Sequence, residues 1–264
     1  QDVRLRQAII HALDREFMVD TIVGPGVGVP KIWYPPQFWP EDLTVLEYDV
    51  DRARELLDEA GWLDHDGDEG TVDFPSARQN ENGDKLEGIR LSTTQNNIRN
   101  AYQLAIQQYL YEVGIRVDVT IYPASLFFAT FQQDGIINAY HADLMIYASS
   151  NILLSPVSYP NSYYCGNWPT PENPDGGNNL QFCDPRFDEL DSLISQTFPG
   201  PERDAMVDEA VRIFTDFAFY NGLRFRPTWW AVAADRWDVN TFYETGTLGN
   251  DEFSFVEYWA PLGE

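Results

Sequence analysis

Residues 89–122 read IRLSTTQNNIRNAYQLAIQQYLYEVGIRVDVTIY, and their rhythm changes twice. "IRLSTT" alternates as a strand does. After a polar break, residues 97–113 suit an amphipathic helix with Ala101, Leu104, Ala105 and Tyr109 on its buried face and Gly114 as its stop. "IRVDVTIY" alternates again and puts Ile115, Val117, Val119 and Ile121 on one side. A helix "ASLFFATFQQ" (124–133) and a short buried strand "DLMIYA" (143–148) continue the series. This β-α-β-α-β order predicts an α/β fold, a mainly parallel sheet with helices on both faces. In such open sheets ligands bind beyond the carboxyl ends of the strands. Those ends are Thr94–Asn97, Pro123–Ser125 and Ala148–Asn151, and they mark the candidate cleft.

Upstream, Asp2 is placed to cap a helix running to about residue 23, with Ile9, Leu13 and Phe17 as its buried stripe. "GPGVGVPKIWYPPQFWP" (24–40) forbids regular structure by its Gly and Pro content. Asp49 opens a second helix, with Ala53, Leu56, Leu57 and Ala60 on one face and Gly61 as its stop. Downstream, Asp184-Pro185 is an N-cap followed by a proline suited to the first helical position. A longer helix is expected from Pro201 to about Tyr220, then strand-like segments "LRFRPTWWAVAA" (223–234) and "FSFVEYW" (253–259). No internal repeat and no linker divides the chain, so residues 1–264 read as one unit.

The 264 residues are 44% hydrophobic, enough to bury a core, and carry a net charge of −25 from 42 acids against 17 bases. That balance repels phosphate backbones and anionic membranes, which argues against nucleic acid as a partner. No apolar run reaches the length of a membrane span, and "QDVRLRQAII" lacks the pattern of a signal peptide. "DHDGDEG" (64–70) spaces its aspartates like a calcium loop. Glu69 stands where that loop needs glycine, and Pro75 where it needs a bidentate glutamate, so an acidic turn is the better reading. Zinc has no CxxC pair, and His11, His65 and His141 are isolated, so neither a metal nor any other cofactor is expected. There is no GxSxG, HExxH or phosphate-cradling glycine loop. A carbohydrate-active hydrolase with a carboxylate pair is the enzymatic alternative. Trp229-Trp230 and Tyr163-Tyr164 could face sugars, though such aromatics more often pack a core or interface.

The two cysteines flank "CGNWPTPENPDGGNNLQFC" (165–183), a loop with little packing of its own. A Cys165–Cys183 bond would restrict the unfolded chain by about 3 kcal/mol in the loop-entropy model. Buried free thiols are the alternative that the residues alone leave open.

Several segments resemble the peptide/nickel-type extracytoplasmic solute-binding proteins of ABC importers. "DVRLRQAIIHALDRE" is similar to a helix characteristic of that family, and "YDVDRARELLDEAGW" to its tyrosine-aspartate helix ending in Ala-Gly-Trp. "IQQYLYEVGIRVDV", "NNLQFCDPRFDELDSLI" and "DEFSFVEYW" follow in family order, so the resemblance spans essentially the whole chain. It implies a class II periplasmic-binding-protein-like lobe, not an enzyme, that captures a solute and delivers it to a membrane permease.

Family members are much longer. The chain is therefore expected to be a C-terminal lobe, with residues 223–264 returning toward a missing N-terminal lobe. The expected location is periplasmic or extracellular, with membrane association through that missing part. Members with cysteines at these positions bond them beside the ligand cleft, which implies a Cys165–Cys183 disulfide. Peptide-binding members place an aspartate after the strand equivalent to "DLMIYA" to pair with the ligand's amino group. Here 147–156 read "YASSNILLSP", with no acid between Asp143 and Pro156. Ser149, Ser150 and Asn151 suit neutral hydrogen-bonding groups, Tyr147 or Tyr163 an apolar face, and Asn97 completes the candidate set. The expected solute is a peptide or an oligosaccharide, with the neutral oligosaccharide favoured by the missing acid.

Overall fold

The structure, a computed structural model, describes residues 2–34, 36–65, 76–148, 163–225, 235, 236 and 238. Among these residues three parallel strands form a sheet in the order β2-β1-β3: β1 (Ile89–Thr94), β2 (Val117–Tyr122) and β3 (Leu144–Ile146). The register sets Leu91 against Val119 and Leu144, and Thr93 against Ile146. One face therefore presents Leu91, Val117 and Ile146 to the main core, which is built with α1 (Val3–His11), α2 (Arg15–Ile22), α3 (Val50–Glu59) and α4 (Asn97–Glu112). The other face presents Tyr122 and Met145 to a small core of Phe127, Ile136 and Ile137. Helices do lie on both faces, as the alternation requires.

A second core joins α6 (Pro185–Gln196) and α7 (Pro201–Asp216) to the Gly/Pro-rich segment, which buries Ile32 and Tyr34 between them. That segment has no regular structure beyond one 3-10 turn at Pro36–Phe38. Arg15, buried, fastens it by donating to the Pro30 carbonyl at 2.8 Å and the Gly222 carbonyl at 2.9 Å. Asp49 and Asp184 cap α3 and α6 as read from the sequence, and Pro185 is the first residue of α6.

Several expectations are corrected. The first helix is not continuous to residue 23. It breaks after His11, and Asp14 caps a new helix by accepting from the Phe17 amide at 2.9 Å, leaving Phe17 61% exposed. A capping aspartate inside an apolar run ended the helix that hydrophobic spacing alone would have continued.

On α4 the buried face is Tyr102, Gln103, Ile106 and Leu110, while Leu104 is 58% exposed. Tyr102, Ile106 and Leu110 form an equally regular stripe. Gln103 can be buried because its amide donates to the Leu91 and Thr120 carbonyls at 2.6 and 3.0 Å. Along β2, Val117 is buried but Ile121 lies 46% exposed, so burial fades toward the carboxyl edge.

The 124–133 helix is one turn only, α5 (Ala124–Phe127), followed by a 3-10 turn at Phe131–Gln133. The chain doubles back here, and a Cβ on Gly135 would lie 1.9 Å from the Ala129 oxygen. The last strand shortens to Leu144–Ile146, and α7 ends at Asp216, with Ala218 at φ 54° beginning the turn that follows. Residues 223–225 are not a strand. Phe225 makes one backbone bond, to the Gly28 carbonyl at 2.8 Å. The segment 253–259, Trp229-Trp230 and most of 64–70 fall outside the described residues.

Candidate functional site

The carboxyl edge of the sheet gathers most of the candidate residues that the structure describes. At the end of β1, the Asn96 side chain caps α4, and Arg99 reaches back to donate to the Thr94 hydroxyl at 2.6 Å. Asn97, the first residue of α4, stays exposed beside them. Tyr147 directly follows β3, the neighbour of β1.

Tyr147 and Tyr163 are linked by a residue that sequence reasoning missed. The Tyr220 hydroxyl lies 2.9 Å from that of Tyr147 and 2.6 Å from that of Tyr163. Trp33 stacks on the Tyr220 ring with centroids 4.4 Å apart and planes 10° apart. The Tyr147 ring meets Phe127 and Phe128 edge-on, and the Tyr163 ring packs on Trp33 and Phe214. Three phenols from 147, 163 and 220 thus close the space between the sheet's small core and the core of α6 and α7. Burial raises the pKa of all three above the usual phenol value, so they stay neutral through the physiological range. Tyr220 and Trp33 sit outside the carboxyl-end loops and in no motif, so no local signal marks them.

Cys165 and Cys183 are bonded, and no free thiol remains. Their loop is organised around Asn178, fully buried, whose amide donates to the Tyr164 and Phe182 carbonyls at 3.0 and 2.7 Å and accepts from the Phe182 amide at 3.1 Å. The Tyr140 hydroxyl donates to the Pro169 carbonyl at 3.1 Å, which ties the loop to the segment after α5. The Cys165 amide donates to both carboxylate oxygens of Asp188, at 3.2 and 3.1 Å. One turn along α6, Asp191 has a raised pKa, from burial first and the nearby Asp188 second.

Tyr147, Tyr163 and Asn97 are therefore placed, the first two as members of one cluster. Ser149, Ser150 and Asn151 lie outside the described residues. Among the described residues no group of three or more His, Cys, Asp or Glu side chains could hold a metal ion, and no helix is long and apolar enough to cross a membrane.

Comparison with known proteins adds a family. Residues 1–170 match the family model for bacterial extracellular solute-binding proteins, family 5 Middle. The oligopeptide-binding protein AppA of Bacillus subtilis is 32% identical over 125 residues, which are 46% of this chain and 22% of that protein. A probable ABC transporter-binding protein of Deinococcus radiodurans is 29% identical over 123 residues, 45% of this chain and 19% of that one. Among solved structures, B. subtilis AppA in complex with a nonapeptide aligns with TM-score 0.70 at 18% identity, covering 99% of this chain and 48% of AppA. The oligopeptide-binding protein of Thermus thermophilus complexed with a pentapeptide gives 0.71 at 26% identity, covering 85% of this chain and 38% of that one. The chain thus spans about half the length, or less, of the proteins it matches.

Proposed function

The chain belongs to the bacterial extracellular solute-binding proteins, family 5, and on that premise we propose that it is the C-terminal lobe of an importer's two-lobed receptor for a peptide-like solute. The two lobes close on the solute by a hinge motion driven by its higher affinity for the closed form, and a membrane permease accepts the loaded receptor. The site is the carboxyl edge of the sheet, with Asn97, Tyr147, Ser149, Ser150, Asn151 and Tyr163 as its contacts and Tyr220 as the residue that holds the two tyrosines in place. The compartment is extracytoplasmic, in keeping with a disulfide that persists only under oxidising conditions.

One observation carries the reading of the solute's chemistry. The described groups at this edge are phenols that stay neutral, the Asn97 amide, the Thr94 hydroxyl and the Arg99 guanidinium, and no carboxylate lies at 94–97, 123–125 or 147–148. Such a surface reads backbone amides and neutral ends better than a free ammonium, which needs a carboxylate partner when it leaves water. Relatives named for peptide binding favour a peptide over an oligosaccharide. Calorimetry of the full-length receptor against free peptides, N-acetylated peptides and oligosaccharides tests this. Free and acetylated peptides are expected to bind alike. Binding abolished by acetylation would overturn the neutral site, and binding of oligosaccharides alone would overturn the peptide.

A further inference from the structure

No site among the described residues explains the charge of this protein. The 42 acids outnumber 17 bases, and only Lys31 and Lys85 among those bases are lysines. The acids are not gathered into metal-holding groups among the described residues. Instead they recur one turn apart on exposed helix faces, as Glu16 and Asp20 on α2 and Asp204 and Asp208 on α7. Like charges at that spacing oppose the helix that carries them. None of the four enters an ion pair among the described residues.

The arginines cannot make up the difference, because many are already committed. Arg52 binds Glu55 and Glu59, Arg90 binds Asp143, Arg186 binds Glu189 and Glu209, and Arg212 binds Asp42. Arg6 and Arg15 are spent on backbone carbonyls. Self-repulsion at this net charge destabilises the compact state. Relief must then come from solution. Neighbouring acids on a helix are about 5–6 Å apart, whereas the screening length is about 10 Å at 0.1 M salt and about 3 Å at 1 M. The screening length falls below that spacing only above about 0.3 M salt, and well below it only near 1 M.

We propose that the surface is built to be covered by hydrated alkali cations at molar concentration, and that the folded state depends on them. The scarcity of lysine belongs to the same design. Fixed cations serve specific ion pairs through arginine's forked geometry, and bulk neutralisation is left to mobile ions. The medium in which this protein works is therefore concentrated in monovalent salt.

Thermal unfolding of the protein, followed by circular dichroism from about 0.1 M to about 3 M KCl, tests the proposal. The midpoint is expected to rise by about 15 °C or more, with the climb continuing above about 0.5 M. The variant carrying Glu16→Gln, Asp20→Asn, Asp204→Asn and Asp208→Asn should melt higher than the parent in low salt. It should also lose about a quarter of the salt-induced rise, because repulsion grows faster than linearly with net charge. A midpoint that stays flat or falls with KCl overturns the proposal. So does an equal rise in parent and variant, and so does an equal rise when sucrose replaces KCl, since sucrose acts by exclusion from the surface and not by charge.

Discussion

Asn178 is fully buried inside the loop that Cys165 and Cys183 close, and its amide serves the Tyr164 carbonyl and both backbone groups of Phe182. Asn178→Ala would strand both backbone groups of Phe182 and leave the Tyr164 carbonyl with the Asn167 amide alone, at 3.2 Å. Unsatisfied buried groups cost about 1–3 kcal/mol each, less what relaxation recovers, so a loss of roughly 2–4 kcal/mol is expected. The guanidinium unfolding midpoint measures it, and a shift no larger than that of an exposed control would contradict the role.

The tyrosines give a pH signature at the same scale. Burial raises the folded pKa of Tyr147, Tyr163 and Tyr220, and that of Tyr109 to about 12. Above the unfolded phenol value of about 10 the unfolded chain releases protons that the native state retains. Stability from these groups is therefore complete below pH ~10 and lost as pH rises through the folded values. Melting at stepped alkaline pH, with tyrosinate absorbance followed in parallel, should show tyrosines ionising together with unfolding. Full titration of every tyrosine near pH ~10 in a still-folded protein would refute it.

Among the elements, those with their own start and stop signals could be read from sequence: α3 between Asp49 and Gly61, and α6 from Asp184-Pro185. The segment 124–137 could not, because its apolar run suits a helix and only the packing of Phe127, Ile136 and Ile137 onto the sheet turns it back. Gly135→Ala tests that turn. Its new Cβ meets the Ala129 carbonyl at 1.9 Å, and backbone must move, so a loss above about 2 kcal/mol is expected with secondary structure otherwise kept. The disulfide loop is the second such element. Reducing Cys165–Cys183 should lower stability by about 3 kcal/mol in the loop-entropy model. Equal unfolding midpoints with and without reductant would show that Asn178 and the Asp188 contact hold the loop unaided.

For the whole molecule, the proposed two-lobed receptor would have one wall of its cleft on this chain, which covers 48% of the B. subtilis AppA chain. On that proposal the chain alone is expected to bind the receptor's solute at least about a hundredfold more weakly than the full-length protein, since it would lack the other wall's contacts and the closure. Calorimetry on both forms with the same peptide decides it. Equal affinities would place the site wholly within these residues.

Composition, caps and periodicity by themselves determined the α/β class, the parallel direction of the strands, and the acidic, lysine-poor surface. Each of these rests on local chemistry: alternation, a capping side chain before a helix, charge that must face water. Tertiary structure alone decided which face of α4 is buried, because two apolar stripes compete and Gln103 is admitted only by strand carbonyls that the sequence does not show. It alone brought Tyr220 and Trp33 to Tyr147 and Tyr163, residues up to 187 positions apart in the chain. Their meeting depends on how two cores pack together, and packing of distant surfaces leaves no mark on any one stretch of sequence.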